Sequence, residues 1–129
     1  MSLDDRLRTP ARERLAGLVQ QFTLSTVAAD LRAEPHPPVS GHRQLALVRH
    51  GPLSLILFAF DADGVIPEHR TEGEVVMHVL RGRLVVTVDG DDLELSDGAM
   101  LSLAPGQPHA VRAIEASDML LTICRDPAA

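Results

Sequence analysis

Apolar and polar positions along this chain follow two periods, and the change comes near Ser40. Before it, Leu15, Leu18, Val19 and Phe22 recur at i, i+3, i+4 and i+7, which lines one face of a helix. Thr9 is placed to cap and Pro10 suits a first helical position, so the pattern predicts a helix over residues 11–22. A second short helix is expected over residues 23–31, started by Ser25 and presenting Val27 and Leu31. Glu34-Pro35-His36-Pro37-Pro38 must end it, because residues before proline avoid the α region.

After Ser40 the period is two. Strands are predicted at residues 43–49, 53–60, 74–80, 83–89, 92–95, 100–103, 109–114 and 119–124. Leu84, Val86 and Val88 point one way from their strand and Val85 and Thr87 the other. Asp89-Gly90 follows, the dipeptide favoured by a two-residue hairpin loop with positive φ at both central positions. Residues 53–60 are apolar at nearly every position, so that strand needs cover on both faces. Many short strands at regular spacing with no helix between them predict an all-β sandwich or barrel preceded by a helical arm. The expected division is an arm and Pro-rich linker over residues 1–38 and a β domain over residues 39–129.

Composition narrows the functional classes. The chain has 129 residues, enough for one domain with a real core, and aromatic residues make up only 2 % of them. Leu, Val, Ile, Met and Ala must therefore fill the interior, and a stacking platform for bases is not expected. A formal charge of −6 argues against a nucleic-acid partner, which needs a basic surface. No apolar run approaches the ~20 residues that span a bilayer, and the N-terminus lacks a basic and apolar leader pattern, so a cytoplasmic protein is expected. Cys124 has no second cysteine to pair with, and its apolar neighbours predict a buried, inert thiol. The need for cover over residues 53–60 also predicts a homodimer.

The stretch from Gly64 to His109 carries the candidate chemistry. His69 opens a β-meander just after a Gly/Pro turn, and His109 closes it after Ala104-Pro105-Gly106-Gln107-Pro108. Gly64…His69…Gly82 and Gly98…Gly106-Gln107-Pro108-His109 resemble the two motifs of the cupin superfamily, G-x5-H-x-H-x3,4-E-x6-G and G-x5-P-x-G-x2-H-x3-N. Anchored on Gly82, His69 matches the first histidine of the first motif; Gly98, Gly106 and His109 match the second in spacing, with Pro105 one place late. The resemblance covers about residues 40–125 and implies a double-stranded β-barrel of jelly-roll type. It also implies that His69 and His109 converge inside that barrel.

The same alignment places Thr71 where the family has its second histidine, Val75 where it has glutamate, and Ala113 where asparagine is common. Two of the four usual metal ligands remain. A third candidate is His78, but if position 75 faces inward then strand alternation turns 78 outward, unless a β-bulge shifts the parity. Glu72 and Glu74 flank the vacant position and read as solvated turn residues, His36 as part of a polar linker, and His42 and His50 as surface residues.

Two functions stay open. One is a small-molecule binding or sensing module whose pocket is lined by Met77, Val79, Leu84, Val86 and Leu101, with His69 and His109 as polar contacts. The other, implied by the resemblance, is a metal-dependent enzyme of dioxygenase or isomerase type. It would hold one divalent zinc, iron, nickel or manganese ion on His69, His109 and a third ligand such as His78.

Overall fold

A computed structural model describes residues 8–125, and the alternating pattern appears in it as antiparallel strands in two sheets. Residues 1–7 of the expected arm and residues 126–129 of the expected β domain lie outside the described residues. One sheet has the order β1-β2-β9-β4-β7, built from His42–His50, Leu53–Phe60, Ser117–Cys124, Glu74–Arg81 and Met100–Leu103. The other has the order β3-β8-β5-β6, built from Val65–His69, His109–Ala113, Arg83–Val88 and Asp91–Ser96. The two sheets keep separate hydrogen-bond ladders, so the closed barrel expected from the sequence is an open pair of facing sheets.

Their inner faces make one core. Phe58, Phe60, Val75, Met77, Val79, Leu84, Val86, Val111 and Met119 are buried there. Phe58 and Phe60 lie two apart on one face of β2, and their rings stack with centroids 5.9 Å apart. Aliphatic side chains fill nearly all the rest, as the scarcity of aromatics requires.

The helical lead-in differs from its pattern. Only α1, Ala11–Arg14, forms in the first stretch, and Leu18 and Val19 are 98 % and 92 % exposed. Gly17 weakens a continuing helix by roughly 1 kcal/mol relative to alanine. The Gln20 side chain also donates to the Arg14 carbonyl at 2.9 Å, taking the acceptor that another helical turn would use. The second helix, α2, runs Leu24–Arg32, close to expectation, and buries Ala28 and Leu31. With Phe22, Leu24 and Val27 it covers Leu47 and Leu57 on the outer face of the five-stranded sheet. The second cover that β2 needs is thus supplied by the same chain at Leu57, which removes part of the reason for expecting a homodimer. Arg32 fixes the end of α2: it pairs with the buried Asp118 and donates to the carbonyls of Phe60 at 3.2 Å and Ser117 at 2.9 Å.

The Asp89-Gly90 turn has the expected form. Val88 pairs with Asp91, and φ is +51° at Asp89 and +82° at Gly90. A side chain at Gly90 would meet open space, so the backbone alone resists substitution. Gly90→Val is expected to lower stability by about 1 kcal/mol or more, read by chemical denaturation. An unchanged midpoint would refute the strain argument.

Candidate functional site

His69 ends β3 and His109 begins β8, and the two residues are direct cross-strand partners. A single extra residue produces this. Ile66 pairs with Val111, but the next pair is His69 with His109, three steps along β3 against two along β8. This β-bulge around Pro67 and Glu68 changes the parity, so His69 turns to the face that Ile66 and His109 occupy. Pro67 costs no ladder bond that matters, because β3 is an edge strand. Forty positions of sequence are thereby closed to a ring separation of 4.3 Å between centroids, at 59° between planes.

Each ring is held by its own backbone. His69 Nδ1 lies 2.9 Å from the Pro67 carbonyl, and His109 Nδ1 lies 2.9 Å from the Gln107 carbonyl. A carbonyl oxygen only accepts, so Nδ1 is the donor in both. The neutral rings therefore carry their proton on Nδ1 and leave Nε2 as a bare acceptor. Neither Nε2 has a hydrogen-bond partner among the described residues.

His109 is 1 % exposed, whereas His69 sits at the rim. Burial pushes the His109 pKa below the ordinary value of 6.5; the Gln107 carbonyl acts against this, and the nearby His69 adds to it. The folded chain therefore binds a proton on His109 less readily than the unfolded chain does. Stability from this group is complete above about pH 6.5 and is lost as pH falls through the depressed folded value. Denaturation midpoints are expected to fall on acidification below that pH, and His109→Gln should flatten that part of the profile. An identical acid limb in the variant would rule out His109 as its source.

The rings open on a cavity of about 180 Å³ lined by Gln44, Phe58, Ile66, His69, Thr71, Val75, Met77, His109, Met119, Leu121 and Ile123. Of the pocket residues predicted from sequence, His69, His109 and Met77 are in it. Val79, Leu84 and Val86 have the right parity but lie in the packed core, and half-buried Leu101 packs against that core. Gln44, Phe58, Met119, Leu121 and Ile123 were missed because β1, β2 and β9 carry no motif, and Ile66 because β3 was not read as a strand. Their inward parity was the available signal.

His78 is not among the lining residues. It pairs with Leu120 and Met100 on the outer face of β4, and the irregularity in that strand comes after it, between Val79 and Arg81. The parity shift that would bring it inward is therefore absent from its part of the strand. His42 corrects the surface reading: it is half-buried on the inner face of β1, its ring 5.6 Å from Phe58 and 5.5 Å from Phe60, and its Nδ1 is buried without a partner. Cys124 is exposed rather than buried, since as the last residue of β9 it pairs with Leu53 and Glu74 on the outer face.

Thr71 and Val75 line the cavity beside the two histidines, so the four motif positions do meet in space. Their chemistry is two imidazoles, one hydroxyl and one isopropyl group. Tight zinc or iron sites use three or four strong protein donors. Among the described residues no group of three or more His, Cys, Asp or Glu is placed to hold a metal. The residues present do not fit a tightly bound ion.

Comparison with known proteins agrees with this architecture. Residues 56–124 match the family model of the cupin domain. No curated protein matches. Among solved structures, a conserved protein of unknown function from Streptococcus pyogenes is similar at 23 % identity and a TM-score of 0.69, over 89 % of this chain and 94 % of that one. A cupin superfamily protein from Desulfitobacterium hafniense gives 18 % identity and a TM-score of 0.68, over 88 % and 96 %. A salicylate 1,2-dioxygenase mutant from Pseudoaminobacter salicylatoxidans gives 19 % and 0.65, over 78 % of this chain and 32 % of that one. With two motif histidines paired across one bulged ladder and the cupin-domain model matching more than half its length, the chain belongs to the cupin family.

Proposed function

We propose that this cupin is a small-molecule binding module whose ligand enters the cavity at His69 and His109. The observation that carries the reading is the lining itself. Apolar side chains surround a few convergent polar groups, the usual make-up of a ligand pocket. Thr71 and Val75 in place of strong donors favour binding over metal-dependent catalysis. A sensing or regulatory role fits such a module.

A thermal-shift screen of neutral small molecules tests this. A ligand at one hundred times its Kd would stabilise the fold by about 2.7 kcal/mol. His69→Ala or His109→Ala should abolish the shift, and His78→Gln should leave it nearly intact because that ring faces the other way. Equal loss from His78→Gln and His69→Ala would remove the cavity from consideration.

A further inference from the structure

Resting on that reading of the cavity, we infer that its ligand is a small uncharged molecule with a hydroxyl group that donates a hydrogen bond to the Nε2 atom of His69 or His109. The argument starts from what the wall lacks. Among the described residues no arginine, aspartate or glutamate lines the cavity, and the sequence contains no lysine. A carboxylate or phosphate ligand would leave water without a fixed cation to meet it, and an ammonium ligand without a carboxylate. Burying either charge unpaired costs far more than burying a hydroxyl.

The imidazoles do not repair this for an anion. To donate from Nε2 they would have to be protonated, and burial of His109 together with its neighbour His69 opposes that charge. Two imidazolium rings 4.3 Å apart would also repel each other. In the neutral state both Nδ1–H groups are committed to the Pro67 and Gln107 carbonyls. The rings therefore offer two acceptors and no donor. A ligand with only acceptors, such as a ketone or an ether, would leave both unsatisfied, whereas a hydroxyl supplies a proton to one of them. Its oxygen can in turn accept from the Thr71 hydroxyl or the Gln44 amide, which line the same space.

Size and walls set the remainder of the molecule. At ~30 Å³ per liquid water, 180 Å³ is the room of about six waters, enough for one small ring. Phe58, Met77 and Met119 offer an aromatic face and two thioethers, which suit a flat or compact apolar body. Phenol and cyclohexanol are the simplest molecules of this description.

The test records histidine ring ¹H–¹³C spectra of the full chain at pH 7.5 during titration with phenol, cyclohexanol, benzoate and benzylammonium. The expected result is saturable movement of the His69 and His109 signals with phenol or cyclohexanol, at least about tenfold tighter than with benzoate or benzylammonium. Binding of the alcohols should weaken on acidification that protonates His109, because a protonated Nε2 no longer accepts. His69→Phe, at an exposed rim position, should weaken them by about tenfold while keeping a ring in place, with an unchanged melting temperature as the check on folding. Equal or tighter binding of benzoate or benzylammonium would overturn the ligand class and leave the pocket reading standing. No movement of either ring with all four probes would overturn the pocket reading and the ligand class together.

Discussion

Gly82→Ala is expected to lower the stability of the fold by about 3 kcal/mol, far more than the same change at Gly90. Gly82 has φ of +102°, where an L side chain costs roughly 1–2 kcal/mol. A Cβ there would also lie 2.2 Å from Ser117 Oγ and 2.7 Å from the Ala116 carbonyl. Ser117 is fully buried and cannot give way freely. Its hydroxyl accepts from the Arg83 N–H at 3.0 Å and donates to the Glu115 carbonyl at 2.8 Å. Crowding of this kind typically adds about 1–3 kcal/mol. The melting temperature should fall by about 10 °C. A loss no larger than that of Gly90→Ala, where the space is open, would show that Ser117 moves aside and that the turn is less rigid than its contacts imply.

The second large effect is a gain. Thr71→His together with Val75→Glu is expected to give the pocket a tight site for divalent metal. Those side chains already line the cavity beside His69 and His109, so the change places three imidazoles and a carboxylate around one space. A single hydrogen bond to a ligating imidazole is worth about 10–100-fold in metal affinity, and two added donors should exceed about 100-fold. Without metal, the new glutamate would sit at a position now only 2 % exposed, and the variant should be less stable than the parent until zinc is added. Calorimetric titration with zinc, with a melting curve in each state, reads both effects. Equal zinc affinity in parent and variant would mean that the four positions do not converge as described.

Much of this was legible in the sequence, for identifiable reasons. The strands after Ser40 follow from side chains that alternate between a buried and a solvated face, and 53–60 and 100–103 have the boundaries of β2 and β7. The Asp-Gly turn follows from the two positive φ values that few residues tolerate. β3 was not read as a strand because Pro67 interrupts a short run with a bulge, yet that bulge is what aims His69. The helix over residues 11–22 failed because its apolar spacing was correct while Gly17 and the Gln20 side chain broke the backbone ladder; periodicity does not report on that. His42 was misread as a surface residue for a different reason. Nothing in a single strand's pattern says that two phenylalanines of the next strand, Phe58 and Phe60, receive its ring.

The site was legible in its anchors and not in its walls. His69 and His109 stand in motif spacing, and Thr71 and Val75 could be aligned to the vacant places. Gln44, Phe58, Met119, Leu121 and Ile123 come from β1, β2 and β9, strands without motif residues that the sheet order places in one sheet with β4. Depth was also hidden. Met77, Val79, Leu84 and Val86 share the inward parity, but only Met77 is near enough to the open end to reach the cavity.

The central claim is that His69 and His109 face each other in one pocket with both Nε2 atoms free to accept. Long-range ¹H–¹⁵N correlation of the imidazole rings at pH 7.5, with nuclear Overhauser contacts between them, measures it directly. The account predicts that both rings carry the proton on Nδ1 and that their carbon-bound protons show mutual contacts. A proton on Nε2 of either ring, or the absence of contact between the two, would contradict it.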